Sequence, residues 1–221
     1  MKKYTKLIKE MIPITLIFIM AIIAVSLFTS TCLPDKLPSH WNASGEVDGY
    51  SGKTFALFFY PGITLLLYLL MAFLPKIDPF RKNYEKFKRP YYFIRLLLVV
   101  FFFALYSYMI LAGVGHTFNM KYFMIPTLSL LFLGIGSMMP KIKRNYFVGF
   151  RTPWTLQSDE VWNKTHKFGG KSFMVGAIVG FFSIFFGNYS FAIFLTAIIA
   201  GSLLPLFYSY YLYRKLGLFK K

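Results

Sequence analysis

Six apolar runs, at 11–31, 55–74, 94–113, 122–139, 173–186 and 191–212, set the terms on which this chain can fold. A run of about 20 apolar residues matches a helix crossing the hydrocarbon core of a bilayer. Inside lipid a spanning helix satisfies its backbone hydrogen bonds within itself. With 57% hydrophobic and 15% charged residues in 221, a water-soluble core is the wrong expectation. The reading is an all-α polytopic membrane protein of about six transmembrane helices. Gly187-Asn188-Tyr189-Ser190 is a tight polar turn that makes the last two a hairpin.

Lys and Arg fix the expected orientation, because cytoplasmic loops are enriched in them. Of the 25 basic residues, Lys36, Lys53 and Lys121 alone fall on one side, so both termini are expected in the cytoplasm. The net charge of +17 therefore points to lipid head groups and topology, and direct nucleic-acid binding is not expected.

The N-terminus imitates a secretory signal, with Lys2, Lys3, Lys6 and Lys9 before the apolar stretch Met11 to Phe28 and Thr29-Ser30-Thr31-Cys32 after it. The apolar run is too long for a signal peptide, so it is read as a retained span. The single cysteine, Cys32, has no intrachain disulfide partner, and no Cys/His cluster has metal-ligand spacing, so no metal and no cofactor are expected.

The spans carry Pro13, Pro61, Pro126 and Pro205, small-residue pairs such as Gly176 and Gly180, and no Asp, Glu or His. Arg95, just inside the third span, is expected to reach the interface. A proton-coupled transporter or an intramembrane metalloprotease would need an ionisable residue inside the bilayer, and both readings lose weight.

Chemistry is concentrated in two loops. The external one, 33–53, has Pro34 and Pro38, then His40, Trp41 and Asn42, then Gly45, Glu46, Asp48 and Lys53. Proline favours extended backbone and Asn42–Gly45 and Asp48-Gly49 supply turns, so an ordered cap is expected. His40 beside Glu46 and Asp48 is either a cation-binding or pH-sensing group or a hydrogen-bonded loop histidine. The cytoplasmic loop, 145–171, holds Asn145, Gly149, Arg151, Thr152, Pro153, Trp154, Thr155, Trp162 and His166. Ser158 followed by Asp159-Glu160 reads as a helix N-cap with acids in the first turn. A short interfacial helix is expected there, ahead of the fifth span, with Trp154 and Trp162 in the head-group layer. No nucleophile, base and orienting acid come together, so no enzyme is expected.

Leu33-Pro34 through Trp41-Asn42, with Gly45-Glu46-Val47-Asp48-Gly49-Tyr50-Ser51-Gly52-Lys53, resembles the N-terminal signature of SdpI-type membrane proteins. Asn145, then Gly149-Phe150-Arg151-Thr152-Pro153-Trp154-Thr155-Leu156, Val161-Trp162 and Thr165-His166 is similar to that family's second signature; Phe150 departs from it, standing where a smaller aliphatic residue is commoner. The resemblance implies three segments: a two-span unit with the external loop at 1–74, a basic cytoplasmic loop and third span at 75–121, and an SdpI-like three-span unit at 122–221. It also implies a non-enzymatic role in the plasma membrane of a Gram-positive bacterium. In that role the protein gives immunity to a secreted toxin peptide and signals by holding a transcriptional repressor at the membrane. A small transporter or permease, and an envelope-stress sensor without a toxin, are the alternatives.

Overall fold

The computed structural model describes residues 2–28, 30–116 and 118–220, with side chains from residue 11 to 219. Thr29 and the side chains of Lys2, Lys3, Lys6 and Lys9, which gave the N-terminus its signal-like look, lie outside the described residues. The elements run α1 (Lys2–Phe28), β1 (Lys36–Trp41), β2 (Val47–Gly52), α2 (Lys53–Ile77), α3 (Tyr84–Gly113), α4 (Met120–Met138), α5 (Pro153–Gln157), α6 (Asp159–Phe182) and α7 (Ser190–Lys215). Short 3-10 turns separate several of them.

Most of each expected span falls within a long helix; the first runs past the end of α1 at Phe28, and the fourth and fifth run on into the 3-10 turns that begin at Met139 and Ser183. Among the described residues five stretches can cross a membrane by length and composition, and the last of these, Asp159–Lys215, contains both α6 and α7. Large apolar side chains such as Phe18, Leu66, Val175 and Phe207 are exposed on the helix surfaces, as a lipid-facing exterior requires. The chain is a multi-pass membrane protein.

Two compact units make up the chain. The first comprises Met1–Met71 and Arg95–Met124. Its core gathers Met20 and Ala24 of α1, Leu37 of β1, Ala56 and Leu57 of α2, and Tyr106 and Met109 of α3. Arg95 corrects the expectation that it reaches the interface. It is only 8% exposed, with its guanidinium 4.3 Å from the centroid of the Tyr68 ring. A desolvated cation–π contact of this kind is worth about 2 kcal/mol, which compensates part of the lost hydration.

The second unit comprises Ala72–Ile94 and Ile125–Lys221. Within it α3 bends at Phe87, whose φ of −130° and ψ of 25° break the helix. Pro90 explains the bend, since it has no N–H for the Lys86 carbonyl and its ring crowds that oxygen. Helices α6 and α7 form the expected hairpin through Ser183–Tyr189, with Gly187 at a φ of +53°. They meet closely: a Cβ on Gly176 would lie 2.7 Å from the Ala197 carbonyl oxygen. The small-residue spacing is thus used inside the chain.

Helix α6 begins where expected, with the Ser158 hydroxyl accepting from the Val161 amide. It does not stop as a short interfacial helix; it runs unbroken through Gly169-Gly170 to Phe182. Those glycines serve close packing rather than a break, for a Cβ on Gly170 would lie 2.7 Å from the carbonyl oxygen of Gly136 on α4. The short helix ahead of this span is instead α5, five residues long.

Candidate functional site

The segment 142–166 wraps into the second unit around a set of buried polar side chains. Asn145 is fully buried, and its side chain organises the chain around it. Its Oδ1 accepts from the amides of Phe147 at 2.9 Å and Val148 at 2.7 Å, while Nδ2 donates to the carbonyls of Lys143 and Val148. An unmade hydrogen bond at a buried amide costs about 1–3 kcal/mol, so this arrangement has few alternatives of equal energy.

His166 closes the loop that follows. The Phe150 amide donates to Nε2 at 3.0 Å, and Nδ1 lies 2.8 Å from the Trp162 carbonyl, to which it donates. The two bonds define one neutral tautomer, with the proton on Nδ1. The imidazole stacks on Trp162 at 4.0 Å, and the Trp162 indole N–H donates to the Ile142 carbonyl at 2.8 Å. Gly149 is dictated by this packing: its φ is +115°, and a Cβ there would lie 2.2 Å from His166 Nε2.

Thr152 and Thr155 form a reciprocal capping box at the start of α5. The Thr155 amide donates to Thr152 Oγ1 at 3.2 Å and the Thr152 amide to Thr155 Oγ1 at 2.9 Å. Pro153 takes the first helical position, where its missing N–H is harmless. Thr155 Oγ1 donates to the Phe150 carbonyl at 2.7 Å, and Thr152 Oγ1 lies 3.0 Å from Ser209 Oγ of α7. A further hydrogen bond joins Tyr213 to Gln157.

The structure therefore divides the candidate residues of this segment. Asn145, Thr152, Thr155, Trp162 and His166 are buried, which corrects the expectation of Trp162 as a head-group anchor. Its indole finds its hydrogen-bond partner inside the protein. Trp154 is half-buried beside Tyr210, whereas Arg151 and Pro153 are exposed. Arg151 donates from Nη1 to the Tyr146 carbonyl at 2.9 Å. Arg144 is held by Asp159 at 3.0 Å, by the Leu156 carbonyl and by the face of Phe80.

Sequence reasoning missed Asp78, Tyr84 and Ser209, all of which hold this segment in place. Two of them left a faint signal. Asp78 is the one acid beside the last turn of α2, followed by proline, and Ser209 is a hydroxyl in an apolar run.

The other candidate site, in the first unit, is ordered as expected, and its form is an antiparallel hairpin. Lys36 pairs with Gly52 and Trp41 with Val47, and the register slips on both sides of His40. Asn42 Oδ1 accepts from the amides of Ser44 and Glu46, fixing the tip. The tip is fastened to the α3–α4 connection: the Met120 amide donates to the Gly45 carbonyl at 3.0 Å and the Asn119 side chain to the Ser44 carbonyl at 2.9 Å. His40 Nδ1 lies 2.6 Å from an Asp48 oxygen, while Glu46 receives the Asn42 side chain. Among the described residues no three His, Cys, Asp or Glu side chains gather as metal ligands. At the base, Lys53 donates from Nζ to the Ser30 carbonyl at 2.6 Å; next to the tip, Trp41 meets Tyr108 edge to face. Pro38 is buried and Pro34 exposed.

Residues 141–209 match the SdpI/YfhL protein family, and residues 15–65 match a Domain of unknown function (DUF1648). The chain is 25% identical over 201 residues to the Immunity protein SdpI of Bacillus subtilis (strain 168), covering 89% of this chain and 94% of the relative. No solved structure matches it. Residues 141–209 thus carry the likeness to the SdpI/YfhL family, and the chain as a whole is an SdpI-like multi-pass protein of the cell membrane.

Proposed function

We propose that this chain is a non-enzymatic membrane immunity protein that protects its own cell from a secreted toxin peptide. The likeness to an immunity protein over 94% of that relative carries the reading, because it extends well beyond the residues of any one signature. In this account both termini lie in the cytoplasm, as the distribution of Lys and Arg favours. The hairpin tip then meets the toxin, with its exposed Asn42, Ala43 and Ser44 held in one shape by hydrogen bonds. The signature segment faces the cytoplasm and holds a transcriptional repressor at the membrane. Arg151 and Pro153 are exposed on a loop whose backbone is fixed from below, an arrangement that lowers the entropy lost on binding.

Expression in a toxin-sensitive Gram-positive host, followed by survival during exposure to candidate peptides, tests immunity. The division of labour has its own test. Arg151→Ala or Trp154→Ala is expected to abolish repressor recruitment while leaving protection largely intact. Equal loss of both in a normally expressed protein would contradict it.

A further inference from the structure

The α2–α3 connection holds a carboxylate with almost no access to solvent. Asp78 is 1% exposed. Its Oδ1 accepts from the Phe80 amide at 2.7 Å, and its Oδ2 accepts from the Tyr84 hydroxyl at 2.9 Å and the Tyr146 amide at 2.9 Å. A buried carboxylate is tolerated when its lone pairs meet donors, and three do so here. Two of those donors come from the connection itself, and the third comes from the signature segment.

Tyr146 joins this carboxylate to the exposed cation of the signature. Its amide is held by Asp78, and its carbonyl accepts from Arg151 Nη1 at 2.9 Å. Its ring stacks on Phe80 with centroids 5.3 Å apart and planes 10° apart, so the side chain is fixed as well as the backbone. Asn83 adds a bond from Nδ2 to the Arg144 carbonyl at 2.8 Å, one residue before the Asn145 turn. The connection 78–84 is thus a mould for 144–146, and it lies outside the residues that match the family.

We infer that Asp78 is a positioning residue that sets the direction in which Arg151 presents its guanidinium to an acidic group on the cytoplasmic regulator. This rests on the proposed regulator-facing role of the segment. The geometric part stands without it: Asp78 orders Tyr146, and Tyr146 orders Arg151.

The test uses the full-length chain in lipid nanodiscs, with phenylglyoxal as an arginine-directed probe and peptide mass spectrometry to read modification of Arg151. Asp78→Asn keeps the size of the side chain but replaces one acceptor oxygen with an N–H₂ donor. Modification of Arg151 is expected to quicken by about tenfold, the change that loss of one charge-assisted hydrogen bond brings. Tyr84→Phe, which leaves the carboxylate in place, is expected to give a smaller rise and serves if Asp78→Asn fails to accumulate. An unchanged rate in a folded variant overturns the inference.

In cells, Asp78→Asn is expected to weaken regulator recruitment, and the double variant with Arg151→Ala to be no worse than Arg151→Ala alone, since the two act in series. Additive losses overturn the positioning role. If Arg151→Ala leaves recruitment intact, the regulator-facing reading fails, and with it the acidic partner. The labelling rate then still decides whether Asp78 directs Arg151.

Discussion

The Phe150 amide donates to Nε2 of His166 across 16 residues of sequence, and the ring that receives it is stacked on Trp162 at 4.0 Å. One side chain thereby ties the loop carrying Arg151 to the first turns of α6. His166→Ala would remove this acceptor and leave a buried amide without a partner, as well as a void beside Trp162. The expected loss is about 2–4 kcal/mol, from an unsatisfied amide plus a cavity. His166→Gln, which can restore an acceptor, is expected to lose less. Thermal unfolding of the detergent-solubilised protein checks both.

Gly149 and Gly187 offer a matched comparison. Both have positive φ, but a Cβ on Gly149 meets His166 Nε2 at 2.2 Å, whereas nothing lies within 4 Å at Gly187. Gly187 pairs its φ of +53° with a ψ of −120°, a region that side chains rarely adopt, and Gly187→Ala is expected to cost about 1–3 kcal/mol, the backbone penalty alone. Gly149→Ala is expected to cost clearly more and to lower the amount of protein in the membrane. Comparable losses at the two positions would show that the His166 contact is not limiting.

The hydroxyls of Thr152 and Ser209, 3.0 Å apart, couple α5 to α7. Thr152→Val removes this contact and the cap of α5 together, and is expected to destabilise by about 2 kcal/mol. Ser209→Ala is expected to cost about 1 kcal/mol. The double variant should fall short of the sum, because the two share one interaction. Unfolding midpoints of the four proteins in the cycle give the coupling.

The course of the helices was legible because hydropathy is a local property. Ser158 was legible as a cap for the same reason, since its partner is three residues away. Two features were not. Whether the Trp162 face of α6 meets lipid or protein depends on what packs against it, and its hydrogen-bond partner Ile142 lies in the preceding loop. Asp78 meets Tyr146 across 68 residues, so its neighbours in sequence mark a turn but not this partner. The hairpin stands between these cases. Its turn residues were readable at Asn42–Gly45, but β1 buries the adjacent residues Leu37 and Pro38, so its sequence shows no apolar–polar alternation to mark a strand.

Loosening the hairpin should separate its function from that of the signature segment. Asn42→Ala removes the acceptor for the Ser44 and Glu46 amides and is expected to weaken the tip by about 1–2 kcal/mol. Faster proteolysis of the loop in intact protoplasts, weaker toxin protection and unchanged repressor recruitment are the expected results. Loss of recruitment without loss of protection would reverse the assigned roles.

The most direct test of the central claim is membrane potential and survival of toxin-sensitive Gram-positive cells exposed to candidate secreted peptides, with and without this chain. Immunity predicts that expressing cells hold their potential and survive at least one peptide that depolarises and kills the controls. Identical depolarisation and killing with every candidate, in cells that carry the protein in their membrane, would contradict it.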